Sequence, residues 1–230
     1  MTAAISEVLQ YIWSIIPYLV GGAWVSIQLA AVGLAFGFLL GLPLALLRTY
    51  GTRPLRFLAT AYIEVFRGTP LLLQLFIIYY GLPDIGLTLG RFASAWAALG
   101  LNSAAYQSEY FRGAFQAVDP GQIVAARALG MTRLQAIVHV ILPQALRLVI
   151  PPWTNEAVYI VKYAAVAFTI AVPELLARGK ILVGSDFRPV PILLTVAVLY
   201  IIMLSSLGQF MSWVEQRVRI PGLVLEGRRD

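Results

Sequence analysis

The sequence predicts an all-α polytopic membrane protein that forms one transmembrane domain over residues 1–230. Of its residues 60% are hydrophobic and 12% are charged, whereas about 25% of a soluble domain is charged. Residues 8–47 and 189–214 each lack Asp, Glu, Lys, Arg and His, and about 20 apolar residues cross a bilayer core. Several such runs favour membrane spans over the buried helices of a soluble core.

Five transmembrane helices are expected from the distribution of apolar and polar residues. They cover residues 17–47, 55–80, 92–114, 142–171 and 189–214. The first starts in an interfacial helix before Pro17, and the third is the least apolar because it contains Asn102, Gln107 and Glu109. A polar, helix-prone loop at residues 117–140 separates the third and fourth spans.

Basic residues predict the orientation of these spans. With five spans, three arginine-rich regions fall on one side: residues 48–56, the polar loop and the C-terminal tail, which holds Arg217, Arg219, Arg228 and Arg229. The positive-inside rule then places the N-terminus outside and the C-terminus in the cytoplasm. The polar loop is therefore expected in the cytoplasm, yet the chain has no glycine-rich phosphate loop of its own.

Small residues and prolines predict how the helices pack and bend. Gly33, Gly37 and Gly41 either form a bare ridge for a neighbouring helix or reflect ordinary glycine enrichment in membrane helices. Pro43, Pro70, Pro143 and the Pro151-Pro152 pair each remove a backbone hydrogen bond. Because such breaks need protein or water around them, the double proline is a candidate irregular segment beside a pathway.

Polar side chains within the spans are the candidates for chemistry, because charges there usually pair or line a pathway. Glu64 and Arg67 lie three apart, and a structural ion pair is favoured over substrate contact. Candidate substrate-binding residues occupy the third and fourth spans: Asn102, Tyr106, Glu109, Asn155, Glu156 and Tyr159. Lys162 continues the face of Glu156 and could neutralise it. His139 is interpreted as a surface residue, and no metal site or catalytic constellation is expected.

A series of short motifs follows one another in a specific order. It contains Phe66-Arg67-Gly68-Thr69-Pro70-Leu71, Gln74-Leu75, Tyr79-Tyr80-Gly81-Leu82-Pro83, Leu101-Asn102, Ala105-Tyr106, Glu109, Arg112-Gly113-Ala114, Ala125-Ala126-Arg127, Gly130-Met131, Leu142-Pro143-Gln144-Ala145, Pro151-Pro152, Asn155-Glu156 and Val172-Pro173-Glu174-Leu175-Leu176. Across residues 17–214 this order resembles the permease subunits of polar amino acid ABC importers. These binding-protein-dependent importers carry histidine, lysine, arginine, glutamine or opines, and the histidine, lysine, arginine and opine branch is the most similar.

The resemblance implies a MetI-like permease fold in a bacterial inner membrane and a pore subunit that is not an enzyme. Two permeases would form the pathway in the lipid bilayer, and two cytoplasmic ATPase subunits would bind ATP and magnesium. An extracytoplasmic binding protein would deliver the substrate, and neither a cofactor in this chain nor nucleic acid is implied. Residues 120–135 would form a coupling helix that contacts the ATPase through Ala125, Ala126, Arg127, Gly130, Met131 and Arg133.

Departures from the family pattern refine what the resemblance implies. Val124 stands where the coupling motif has Glu, and Tyr163-Ala164-Ala165 follows Lys162 where many relatives have Asp-Thr-Ser. The loss of the Glu implies either a non-identical second permease that keeps it or a tolerated variant, and the two losses together favour a non-identical second permease over an identical one. The Asn155-Glu156 pair implies a cationic substrate, such as arginine, histidine, lysine or a related opine, with its side-chain cation facing Glu156.

Two other classes compete with an ATP-driven permease. A secondary transporter or channel driven by ion gradients would need no nucleotide partner and often shows inverted repeats, which the five predicted spans lack. A membrane-embedded enzyme would need a nucleophile with its base, or a metal cluster, and the sequence provides neither.

Overall fold

The computed structural model describes residues 2–218, which fold into helices joined by short turns. The helices of this part are α1 Thr2–Tyr50, α2 Arg53–Gly68, α3 Leu71–Phe76, α4 Arg91–Ala117, α5 Pro120–Ala128, α6 Arg133–Ala136, α7 Leu142–Leu148, α8 Ile150–Ala164, α9 Leu175–Asp186 and α10 Pro189–Val218. The predicted all-α class is confirmed. Arg219, Arg228 and Arg229, which contribute to the predicted orientation, lie outside the described residues.

Helix α1 begins at Thr2 and passes through Pro17 and Pro43 without ending, so the helix before Pro17 is continuous with the first predicted span. It contains 49 residues, which corresponds to roughly 74 Å at 1.5 Å per residue. A bilayer core is only about 30 Å thick. Helix α1 is therefore much longer than the thickness of a bilayer core, and it extends beyond both ends of the predicted first span, residues 17–47.

The predicted second span is bent rather than straight. Helix α2 and the segment Leu71–Ile85, which comprises α3 and the turns that follow it, meet at 103°. Pro70 cannot donate a backbone hydrogen bond, and it also disfavours the helical conformation for the residue before it. Thr69 accordingly adopts φ −113° and ψ 143°, which ends α2 and redirects the chain.

A second bend divides the predicted fourth span. Segments Arg133–Leu148 and Ile150–Ile170 meet at 55°. The break falls at Val149, just before Pro151 and Pro152, which lie in the first turn of α8. Proline is tolerated there because the first N–H groups of a helix have no intrahelical partner. The expected irregular segment is thus confirmed, with its break two residues earlier.

Length and composition identify two described helices that could each cross a membrane alone, Ser6–Tyr50 and Pro189–Val218. The count rises to four if each bent pair forms one span. Helix α4, which contains the predicted third span, is not among them because its interior face is polar. The five-span count therefore remains a prediction.

Helix α4 lies at the centre and packs most extensively against α1. A methyl group added to Gly33 would lie 3.0 Å from Leu99 Cβ, and one added to Gly41 would lie 2.9 Å from the carbonyl oxygen of Ala104. Gly37 similarly faces Ser103 and Gln107. The interpretation of these glycines as a bare ridge is confirmed, since larger residues would force the two helices apart.

Candidate functional site

A cavity opens where α2 bends into α3, facing α4 and the end of α8. Its volume is about 290 Å³, and it is lined by Arg67, Gly68, Thr69, Pro70, Leu71, Asn102, Tyr106 and Tyr163. Asn102 and Tyr106 are thus two predicted substrate-binding residues that the structure brings to one cavity. The bend at Pro70 creates this space by turning α3 away from the axis of α2.

Gln74 stabilises the bend from inside. Its Nε2 atom donates to the carbonyl oxygens of Phe66 at 2.8 Å and Thr69 at 3.0 Å, which the end of α2 leaves without helical partners. Its Oε1 atom accepts a hydrogen bond from Asn102 Nδ2 at 3.2 Å. Sequence reasoning assigned no role to Gln74, although its isolation among leucines in α3 was a usable signal.

A cluster of charged side chains joins α1, α2 and α4 beside the cavity. Arg112 Nη2 lies 2.7 Å from Glu109 Oε2, and Arg48 also contacts Glu109 while its Nη2 lies 3.3 Å from Glu64 Oε1. Arg67 Nη1 lies 4.0 Å from Glu109. The predicted Glu64–Arg67 pair is therefore wrong, because each residue has a different partner.

Glu109 is held in this cluster and does not line the cavity. Arg112 reaches it through two nitrogens, with Nε at 3.1 Å and Nη2 at 2.7 Å from Oε2. A carboxylate bound by two guanidinium groups has most of its acceptor sites occupied. The structure thus favours an anchoring role for Glu109 over the predicted contact with substrate.

Glu156 has a different environment, since it is buried among neutral hydroxyl groups. Its side chain is 4% exposed. Ser103 Oγ donates to Oε1 at 2.6 Å, and Tyr110 Oη donates to Oε2 at 3.4 Å. Lys162 instead lies over the ring of Tyr159, 5.1 Å from its centroid. The ion pairs found within residues 2–218 do not include Glu156, so the possible neutralisation of Glu156 by Lys162 is not found there.

The two remaining substrate candidates, Asn155 and Tyr159, lie on the exposed side of α8. Tyr159 is 48% exposed and stacks with Tyr163 at a centroid distance of 6.4 Å. Tyr163 also lines the cavity, so α8 contributes to it through a residue that was not among the predicted contacts. The six candidates therefore do not form one group.

The polar loop between α4 and α7 forms two short helices joined by a turn. Asp119 caps α5 by accepting a hydrogen bond from Gly121 N at 2.6 Å. Gly130 follows α5 with φ 83°, a left-handed conformation that favours glycine. Thr132 and Gln135 then form a reciprocal capping box that starts α6.

Most of the predicted coupling residues are accessible on this loop. Ala125, Arg127, Gly130 and Arg133 are exposed, Met131 is half-buried, and Ala126 faces inward at 4% exposure. Large apolar side chains are exposed beside them: Val124 at 66%, Leu129 at 82% and Leu134 at 70%. Sequence reasoning did not select Leu129 or Leu134, although such exposed apolar groups outside the apolar spans suggest a docking surface.

A helical fold with buried polar groups, a cavity at a helix bend and an exposed helical loop has the features of a membrane transport subunit. The family described as "Binding-protein-dependent transport system inner membrane component" matches residues 33–220. The glutamine transport system permease protein GlnP of Escherichia coli strain K12 is 36% identical over 211 residues, covering 91% of this chain and 96% of that protein. This chain therefore belongs to the family of binding-protein-dependent inner membrane transport components.

Two further relatives support this membership. The octopine transport system permease protein OccM of Rhizobium meliloti is 38% identical over 222 residues, covering 90% of this chain and 91% of that protein. A crystal structure of an amino acid ABC transporter with histidines superimposes with a TM-score of 0.84 at 35% identity, covering 90% of this chain and 97% of that chain.

Membership of the family defines the class of this protein. The chain is an amino acid ABC importer permease of the inner membrane, with the MetI-like fold that the motifs implied. ATP hydrolysis is performed by separate ATPase subunits, and a binding protein is part of the system. The family membership therefore favours an ABC importer permease over an ion-gradient-driven transporter and over a membrane-embedded enzyme.

Proposed function

We propose that this permease subunit moves a basic amino acid, or an opine derived from one, and that Glu156 attracts the substrate's side-chain cation. The observation that carries this proposal is the burial of Glu156 with hydroxyl partners and without a cation among the described ion pairs. Burying an unpaired charge is costly, and a substrate cation would offset that cost. An opposite charge is attracted far more strongly in such a setting than in water.

The relatives are compatible with this substrate class without fixing it. One solved transporter is described with histidines, while other relatives are described as glutamine and octopine permeases. Tyr163 lines the cavity and lies seven residues, about two helical turns, after Glu156 on α8. A cation near Tyr163 would therefore enter the field of the buried carboxylate.

Replacing Glu156 with Gln tests the proposal. In proteoliposomes containing the whole importer and its binding protein, Glu156→Gln should slow uptake of arginine, lysine or histidine at least roughly tenfold, about 1.4 kcal/mol. Glutamine uptake should change much less, because the amide keeps the shape of Glu156 and one acceptor oxygen.

A matched control removes a carboxylate from the surface. The side chain of Glu7 is 68% exposed. The Glu7→Gln variant should leave the uptake rates of basic amino acids and of glutamine near those of the wild type. Normal uptake of basic amino acids by Glu156→Gln, in a complex of normal composition, would contradict the substrate assignment. An equal loss for basic and neutral amino acids would contradict it as well.

The loop at residues 117–140 is the proposed coupling element, which would transmit ATPase closure to the transmembrane helices as rigid-body motion. Ala125, Ala126, Arg127, Gly130, Met131 and Arg133 are its proposed contacts with the ATPase. The exposed side chains of Val124, Leu129 and Leu134 support a docking role. The ATPase subunits would hold ATP and magnesium, so this chain needs no cofactor.

The proposed assembly contains two permeases, two ATPase subunits and one binding protein, with a non-identical second permease. Val124 is exposed where the motif has an acid, and a partner that retains the acid would supply the missing charge. Native mass spectrometry of the complex purified from its own cells should find this chain with a second permease sequence. Two copies of this chain per complex would contradict the heteromeric arrangement.

A further inference from the structure

Arg67 carries the only charge among the residues that line the cavity described above. Its side chain is 40% exposed, and its guanidinium carbon lies 5.4 Å from the centroid of the Tyr106 ring. Stacking against an aromatic face holds the guanidinium plane while its edge remains able to donate hydrogen bonds. Arg67 is therefore a positioned donor at the wall of the cavity.

Glu109 is the ion-pair partner of Arg67, but among the described residues no hydrogen bond joins Arg67 to a neighbouring carboxylate. Arg112 holds Glu109 with contacts of 2.7 and 3.1 Å, and Arg48 contacts both Glu109 and Glu64. The Arg67–Glu109 separation of 4.0 Å is beyond the usual 2.7–3.2 Å of an N–H···O hydrogen bond. With three guanidinium groups and two carboxylates, this cluster has a net charge of +1, and Arg67 is its member that lines the cavity.

We propose that Arg67 binds the α-carboxylate of the transported amino acid in this cavity. Guanidinium and carboxylate groups fit one another through two parallel hydrogen bonds, which give both strength and orientation. The volume of about 290 Å³ lies just below the range for small-molecule pockets, about 300–1,000 Å³. The site thus suits one amino acid. The inference rests on the proposed function in taking an amino acid as the ligand.

Lys162 is another cation close to this region that makes no ion pair among the described residues, and its placement makes it a weaker candidate. Its ammonium group lies over the ring of Tyr159 at 5.1 Å, on the exposed side of α8, and it does not line the cavity. Arg67, in contrast, adjoins the Thr69–Pro70 bend that forms the cavity wall. An amino acid with its carboxylate on Arg67 could direct a side-chain cation towards Tyr163 and Glu156.

Direct binding to the purified permease–ATPase complex without its binding protein tests this assignment, because the binding protein selects amino acids independently. The probes are L-arginine and argininamide, in which a neutral amide replaces the carboxylate. The wild-type complex should prefer the acid at least roughly tenfold, as expected for hydrogen bonds to a charged group. Arg67→Gln should lose that preference, and Arg67→Lys should retain part of it.

Arg56→Gln is the matched control, since Arg56 lies on the same helix and is exposed. It should keep the wild-type preference. A second pair of probes, L-glutamine and glutaminamide, separates this proposal from the choice of a basic substrate. If the complex prefers glutamine over glutaminamide through Arg67 but shows no such preference for arginine over argininamide, the carboxylate site is supported and the basic-substrate proposal is overturned. An unchanged preference in Arg67→Gln, or no amino acid binding to the wild-type complex, would overturn the carboxylate site.

Discussion

Three glutamates within the helical body illustrate how environment determines the role of the same side chain. Glu109 is neutralised by the guanidinium groups of Arg48 and Arg112. Glu174 caps α9 by accepting from Leu176 N at 2.9 Å and Ala177 N at 2.6 Å. Glu156 has neutral hydroxyl donors instead. Glu156 alone of these three has neither a cation nor a helix terminus beside it, which is why the substrate proposal depends on it.

Sequence reasoning located the polar positions but not their pairing. The spacing of Glu64 and Arg67 satisfies the geometry of one helix, and it carries no information about a helix distant in sequence. Arg48 of α1 reaches Glu64 at 3.3 Å because α1 and α2 pack side by side. The Asn102–Gln74 hydrogen bond likewise joins residues 28 positions apart. Such contacts arise from tertiary packing and could not be read from local spacing.

The bends show what proline indicates at the level of an element. Pro70 and the Pro151-Pro152 pair were recognised as sites of broken hydrogen bonding, and both accompany bends, of 103° and 55°. Pro43 was recognised by the same argument, yet α1 continues through it. The difference follows from the preceding residue: Thr69 adopts an extended conformation, whereas α1 stays helical before Pro43. A proline predicts a possible break, and the surrounding packing decides whether it forms.

The turn after α5 leads to a prediction about coupling. Gly130→Asp adds a side chain and a negative charge at φ 83°, where a methyl group would meet no atom within 4 Å. The left-handed backbone should cost about 1–2 kcal/mol, so the permease should still fold. The aspartate would project towards the docked ATPase. We expect the ATPase to dissociate or its substrate-stimulated hydrolysis to fall, measured by copurification and phosphate release.

Gly130→Asn is the control for this change, since asparagine tolerates the left-handed region and adds similar bulk without charge. It should retain more of the coupled hydrolysis than Gly130→Asp. An intact complex with normal substrate-stimulated hydrolysis in Gly130→Asp would argue against a docking role for this turn.

At the scale of the whole molecule, buried polar side chains are concentrated along α4. This helix contacts α1, α2, α3, α7 and α8, and its buried face carries Asn102, Ser103 and Gln107. Gln107 donates to Leu34 O at 3.0 Å and accepts from Trp153 Nε1 at 2.8 Å, which joins α1, α4 and α8. The low hydropathy that made this the weakest predicted span therefore follows from its central position, where protein rather than lipid surrounds it.

The proposed orientation requires the turn after α3 and the polar loop to lie on opposite sides of the membrane. Because the chain contains no cysteine, one introduced thiol gives an unambiguous signal. Leu87 and Leu129 are both exposed, at 51% and 82%, so Leu87→Cys and Leu129→Cys form a matched pair. In intact cells with a permeable outer membrane, a membrane-impermeant maleimide should label Leu87→Cys, and it should label Leu129→Cys only after the inner membrane is opened. The reverse pattern would invert the orientation, and labelling of both in intact cells would exclude a coupling loop enclosed in the cytoplasm.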